Sequence, residues 1–134
     1  MPLRRAASST FAFLRRTPYW SEVWSGVAAI TFSLISLLAP GDVTQRPSLL
    51  PMGELAGTHF WEAAGLIMGA GQLTAITTNF WPARYAAAFI LAAFWTFLAL
   101  CIAQYDAASP FWGAIACYGA SNLVSMVRLV GSRA

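Results

Sequence analysis

The chain predicts an all-α integral membrane protein, with four transmembrane helices in an antiparallel bundle and the N- and C-termini cytoplasmic. Three observations carry that expectation. Apolar stretches occupy residues 23–39, 60–80, 83–103 and 111–127, each about 17 to 21 residues, near the ~20 a helix needs to cross a bilayer core. Arg4, Arg5, Arg15, Arg16, Arg84, Arg128 and Arg133 fall on one side of the implied membrane, and only Arg46 on the other. An aromatic residue followed by Trp stands at the start of each stretch, at Tyr19-Trp20, Phe60-Trp61, Phe80-Trp81 and Phe111-Trp112.

Composition points the same way. Of 134 residues, 58% are hydrophobic and 10% charged, where an ordinary soluble domain carries about 25% charged residues. The net charge of +3 conceals an asymmetry: seven Arg against Glu22 leave +6 on one side, and Arg46 against Asp42, Glu54, Glu62 and Asp106 leaves −3 on the other. Cytoplasmic loops carry the excess of basic residues, so the +6 side is inside. This balance implies topology and attraction to anionic lipid headgroups, not nucleic-acid binding. The expected localisation is a bacterial inner membrane. The four Arg of residues 1–18, with several Ser and Thr and no acid, also match a mitochondrial transit peptide, so a mitochondrial inner membrane is the alternative.

The whole chain, residues 1–134, reads as a single membrane domain. Residues 1–20 form a basic cytoplasmic arm, in which Phe11, Phe13 and Leu14 dip into the interface while Arg15 and Arg16 meet headgroups. Pro40-Gly41 ends the first span, because proline cannot donate to the helix and glycine tolerates the turn. The outer loop, residues 40–59, contains Leu49, Leu50, Met52 and Leu55 and is too apolar for a solvated linker. It either lies on the surface as a short interfacial helix or covers the bundle mouth. Tight turns at residues 79–82 and 104–110 make the last three spans antiparallel neighbours. Trp20, Trp61, Trp81 and Trp112 act as interface anchors, with rings buried at headgroup level and N–H groups kept wet. Trp24 belongs with the inner belt, and Trp95, inside the third span, is a packing or lipid-facing residue.

Gln72 and Asn122 are the polar residues deepest in the spans, and an amide in hydrocarbon seeks a partner on another helix. Gly65 with Gly69, and Ala116 with Ala120, form small-xxx-small pairs that allow close helix approach. Helix packing, within one copy or between copies, is their expected role. Gly69-Ala70-Gly71-Gln72-Leu73 echoes Gly119-Ala120-Ser121-Asn122-Leu123, each after a Phe-Trp-x-Ala opening, which suggests a parallel repeat about an axis along the membrane normal.

Catalytic and cofactor signals are absent from the pattern. His59 and Glu62 share a helix face but have no further ligand for a metal. A single His provides no transmembrane haem pair. Neither a phosphate loop nor a nucleophile–base pattern appears. No enzyme activity and no cofactor are expected. Small multidrug transporters share this size and span number, but their working Glu lies well inside the first span. Here Glu22 is placed at the inner edge of the first span and Glu62 at the outer edge of the second. Cys101 and Cys117 are too few for a disulfide framework. Folding their hairpin about Ala107 leaves them about 6 Å out of register, so they read as small packing residues.

Trp20-Ser21-Glu22, Trp61-Glu62, Gly69-Ala70-Gly71-Gln72-Leu73, Arg84, Tyr118, Asn122-Leu123 and Arg128 together resemble short four-span proteins of phages and prophages, some labelled holins. The resemblance covers about residues 19–130 and implies a phage-linked inner-membrane protein, in lysis or superinfection exclusion, with no catalytic residue. The expected function is a holin-like protein that oligomerises through Gly65, Gly69, Ala116 and Ala120; the alternatives are a structural accessory subunit of a larger membrane complex and, third, a small transporter, which would need an ionisable residue at mid-membrane. The partners are the bilayer, its anionic headgroups, and either further copies or other subunits.

Overall fold

A computed structural model describes residues 20–39 and 41–131. Arg4, Arg5, Arg15, Arg16, Arg133 and the rest of the expected arm before Trp20 lie outside the described residues, as does Pro40. Among the described residues the structure is all-helical, with no strand. Four long helices, α1 (Trp20–Leu38), α3 (Thr58–Thr78), α4 (Trp81–Tyr105) and α5 (Pro110–Gly131), are accompanied by a short helix α2 (Leu50–Leu55). Each long helix overlaps one expected span and starts one to three residues before it.

Three of these helices are long and apolar enough to cross a membrane. They are α1, α4 and α5, with mean hydropathies of 1.5, 2.3 and 1.3. Helix α3 has comparable length at 21 residues but carries more polar side chains.

Residue pairings set the topology. Along α1 and α3, Gly26 lies against Gly69, Ser33 against Gly65 and Ser36 against Glu62, so numbers rise on one helix as they fall on the other. Along α4 and α5, Trp81 meets Leu129, Trp95 meets Tyr118 and Thr96 meets Gly119. Ser21–Ser125 and Ser25–Asn122 make α1 and α5 antiparallel as well. Helices α1 and α4 thus run one way and α3 and α5 the other. The tightest packing lies within the two hairpins, α1 with α3 and α4 with α5.

The turn between α3 and α4 depends on Asn79, whose φ of 51° places it in the left-handed region while its N–H closes the helix on Ile76. Asn is among the few non-glycine residues that take this cap readily. Pro82 then sits in the first turn of α4, where a missing N–H costs nothing.

The long connection covers the mouth of the bundle; it does not lie flat on the surface. Two 3-10 turns, Val43–Gln45 and Pro47–Leu49, lead into α2. Leu49 and Met52 are buried in one cluster with Leu91, Leu98 and Cys101 of α4. Trp61 pins the cap from below: its Nε1 donates to the carbonyls of Met52 (2.8 Å) and Ala56 (3.1 Å). Asp42 organises the entry, accepting from the Thr44 amide (2.9 Å), the Thr44 hydroxyl (2.7 Å) and the Thr58 hydroxyl. The Thr44 hydroxyl, more than any other group, holds the Asp42 carboxyl below its ordinary pKa.

Candidate functional site

The bundle interior is polar along one line. On α1, Glu22, Ser25, Ser33 and Ser36 are all buried, spaced by three, eight and three residues, so all four lie on the face turned to the other helices. Three groups of partners meet that line.

At the end carrying Arg84 and Arg128, Glu22 and Arg84 form an ion pair inside the bundle, 2% and 3% exposed. Arg84 Nη2 lies 2.9 Å from Glu22 Oε1 and 3.0 Å from Oε2, and Nε lies 3.3 Å from Oε2. Its Nη1 donates to Asn79 Oδ1 at 3.2 Å, tying the pair to the left-handed turn. The planar guanidinium reaches both carboxylate oxygens and the turn together, which a Lys ammonium could not do.

One turn further along α1, Ser25 Oγ accepts from Trp95 Nε1 (2.9 Å) and from Asn122 Nδ2 (2.6 Å), joining α1, α4 and α5. Asn122 Nδ2 also donates to the Tyr118 carbonyl of its own helix at 2.8 Å. Gln72 is fully buried, yet neither its Oε1 nor its Nε2 has a partner; Asn122 Oδ1 and Ser33 Oγ are also unpaired. Gln72 and Asn122 make no bond to each other. An unsatisfied buried polar group costs about 1–3 kcal/mol, so each of these four atoms lowers stability as placed.

At the capped end, Glu62 is 5% exposed and accepts from the Ser36 hydroxyl through Oε1 (3.3 Å). Its Oε2 lies 2.9 Å from His59 Nδ1, and the His59 side chain is 97% exposed. Between the two ends the α1–α3 seam closes. A Cβ on Gly69 would lie 2.6 Å from the Gly26 carbonyl oxygen, so this glycine is required for the approach, whereas one on Gly65 would displace the Ser33 hydroxyl and lie 3.2 Å from the Ala29 carbonyl oxygen.

The expected packing residues divide. Gly65, Gly69, Gln72 and Asn122 all face the interior of this one protomer. Ala116 is half-buried and Ala120 exposed; the close approach in α5 belongs to Gly119, against Thr96 and Ala92 of α4. The sequence echo has a geometric counterpart. A Cβ on Gly69 would meet Gly26 O and Ile30 N of the preceding long helix, and one on Gly119 would meet Ala92 O and Thr96 N, the same i, i+4 pair of atoms.

The expected anchors are not equivalent. Trp20 is exposed, as is Trp24. Trp61 holds the cap and stacks on Phe97 at 5.7 Å. Trp81 donates to the Leu129 carbonyl (2.8 Å), and Trp112 to the Ala107 carbonyl (2.9 Å), tying together helix ends and a turn. Trp95 is buried and packs against Phe94 and Tyr118.

Arg128 is exposed in the last turn of α5, where a cation favours the helix C-terminus. Arg84, counted among the arginines of the cytoplasmic side, is withdrawn into the ion pair. Glu22 and Glu62, expected at the water-facing edges, keep their axial levels but point sideways into the bundle. Cys101 is buried and Cys117 exposed, and both are free thiols.

Sequence reasoning overlooked Ser25, Ser33, Ser36 and the Glu22–Arg84 pair. The available signal was the helical spacing of Glu22 and the serines on α1, a polar stripe inside an apolar span. Comparison with known proteins finds no matching family, no matching characterised protein and no matching solved structure.

Proposed function

We propose that this chain is a small four-span protein of a bacterial inner membrane, with both termini cytoplasmic, acting by association as a structural accessory subunit of a larger membrane complex. The observation that carries this reading is the direction of the polar groups. Glu22, Ser25, Glu62, Gln72, Arg84 and Asn122 are all buried within one protomer, while Leu34, Ile35, Ile67, Phe89, Ile90 and Val127 are exposed. Lipid and apolar helices solvate such an outer surface well. A hole walled by intact bundles would present hydrocarbon to water, which is unfavourable. Supporting the fourth span, Glu62 and Gln72 of α3 turn inward, and its exposed Thr77 and Thr78 hydroxyls bond carbonyls of their own helix.

A holin-like reading is the second proposal. Its support is the outer face of α5, where Cys117 and Ala120 are exposed and a Cβ on Gly113 would meet nothing within 4 Å. A neighbouring helix could approach there closely. Gly65 and Gly69 are already used inside the protomer, so of the expected small-residue pairs only the one on α5 remains for association.

Inducible expression in a bacterium, with membrane potential followed by a voltage-sensitive dye, separates the two. The accessory reading expects a normal potential and co-purification of other membrane subunits in mild detergent. Abrupt depolarisation after a lag would overturn it in favour of the holin-like reading.

A further inference from the structure

A groove of about 560 Å³ opens on the outer surface between α1 and α5 and runs onto α4. Its long wall is the α1 face from Trp24 to Ile35, and its floor includes Trp95 and Tyr118. Those eleven steps along α1 measure about 16 Å and take up the middle of the helix, so the trough reaches from the capped side past the centre of the span. The lining is mainly apolar until the capped end, where Arg46 and Ser48 complete it. Arg46 is exposed and forms no ion pair among the described residues, whereas the buried Arg84 is bound to Glu22.

We propose that this groove binds one acyl chain of an anionic phospholipid from the leaflet on the capped side, with the lipid phosphate on the Arg46 guanidinium. The assignment rests on the membrane-spanning reading above. Each part of the lipid has a matching part of the groove: an apolar trough about 16 Å long for the chain, and, where the phosphate emerges, a neighbouring hydroxyl and a cation with no ion pair among the described residues. A guanidinium engages phosphate oxygens in a two-point fork. A helix from a second copy would fill the trough but would leave Arg46 without an anion unless an acid followed it.

The test uses the purified full chain in phosphatidylcholine vesicles containing a minor fraction of phosphatidylglycerol, with brominated acyl chains on one lipid or the other. Bromine quenches tryptophan on contact, and Trp24 and Trp95 line the groove. Brominated phosphatidylglycerol is expected to quench about fivefold more effectively per mole than brominated phosphatidylcholine, the preference one interfacial cation provides. Arg46→Gln should abolish that preference while leaving phosphatidylcholine quenching intact. Thr31→Phe, which obstructs the trough, should reduce quenching by both lipids.

Equal quenching by the two lipids in the unmodified chain would overturn the proposal. So would a preference that survives Arg46→Gln, because arginines at the other end would then recruit the lipid. Loss of all quenching in a vesicle-bound dimer would assign the groove to a second copy. Failure of the chain to float with the vesicles would instead overturn the membrane reading itself.

Discussion

Two buried glutamates occupy opposite ends of the same bundle and are partnered in different ways. Glu22 meets Arg84, a permanent cation withdrawn from solvent, in a contact using both carboxylate oxygens. Glu62 meets the Ser36 hydroxyl and His59, whose ring stands in solvent. A buried charge persists only when paired, and removal of its partner leaves the full desolvation penalty. The Arg84 end therefore behaves as a structural joint between α1 and α4. The His59 end can exchange its partner for water at little cost. Equal burial of two acids does not make them equally important.

The most severe way to break this comparison is Arg84→Ala, which strands Glu22 inside the bundle. A loss of about 3–5 kcal/mol is expected, seen as a large fall in the melting temperature in mild detergent. Glu22→Leu combined with Arg84→Met should restore most of it, because apolar replacement of both partners removes the charge and its penalty together. A double variant as unstable as the single would mean that the pair is not what makes this end matter.

Gly69→Leu attacks the seam between the two ends. Its side chain meets the Gly26 carbonyl and Ile30 of the same protomer, so about 1–3 kcal/mol or more of folding stability should be lost. A melting temperature unchanged alongside a smaller oligomer would place Gly69 between copies instead.

Gln72→Leu should have the opposite sign. Among the described residues the amide has no partner for either polar atom, so an apolar side chain of similar volume is expected to stabilise by about 1 kcal/mol, read as a higher melting temperature. Destabilisation would reveal that Gln72 is satisfied by internal water.

The smallest effect is expected at the capped end. His59→Ala removes an exposed partner and should change stability by less than about 1 kcal/mol. An effect as large as that of Arg84→Ala would erase the distinction between the two acids.

Much of the helical frame was legible in the sequence, because long apolar runs form helices whatever they pack against. The turn at Asn79 and the apolar character of the capping loop were also legible, since turn chemistry and composition are local. The polar interior was not. Glu22 and Glu62 lie within a turn or two of helix ends, where an acid ordinarily faces water. Only the azimuth of each helix decides that both point inward. Gly65 and Gly69 were legible as sites of close approach. Whether the approaching backbone belonged to the same chain depended on where α1 lay.

By itself the sequence determined where the four long helices lie and the turn between α3 and α4, since these follow from hydropathy over about twenty residues and from the φ preferences of Asn and Pro. The tertiary structure decided which groups meet: Arg84 with Glu22 across 62 positions, Asn122 with Ser25 across 97, and Trp61 with the cap. The reason is physical. Spacing along one helix reports which residues share a face, but pairing across helices depends on rotation and axial offset, and packing fixes those only when all four are in place.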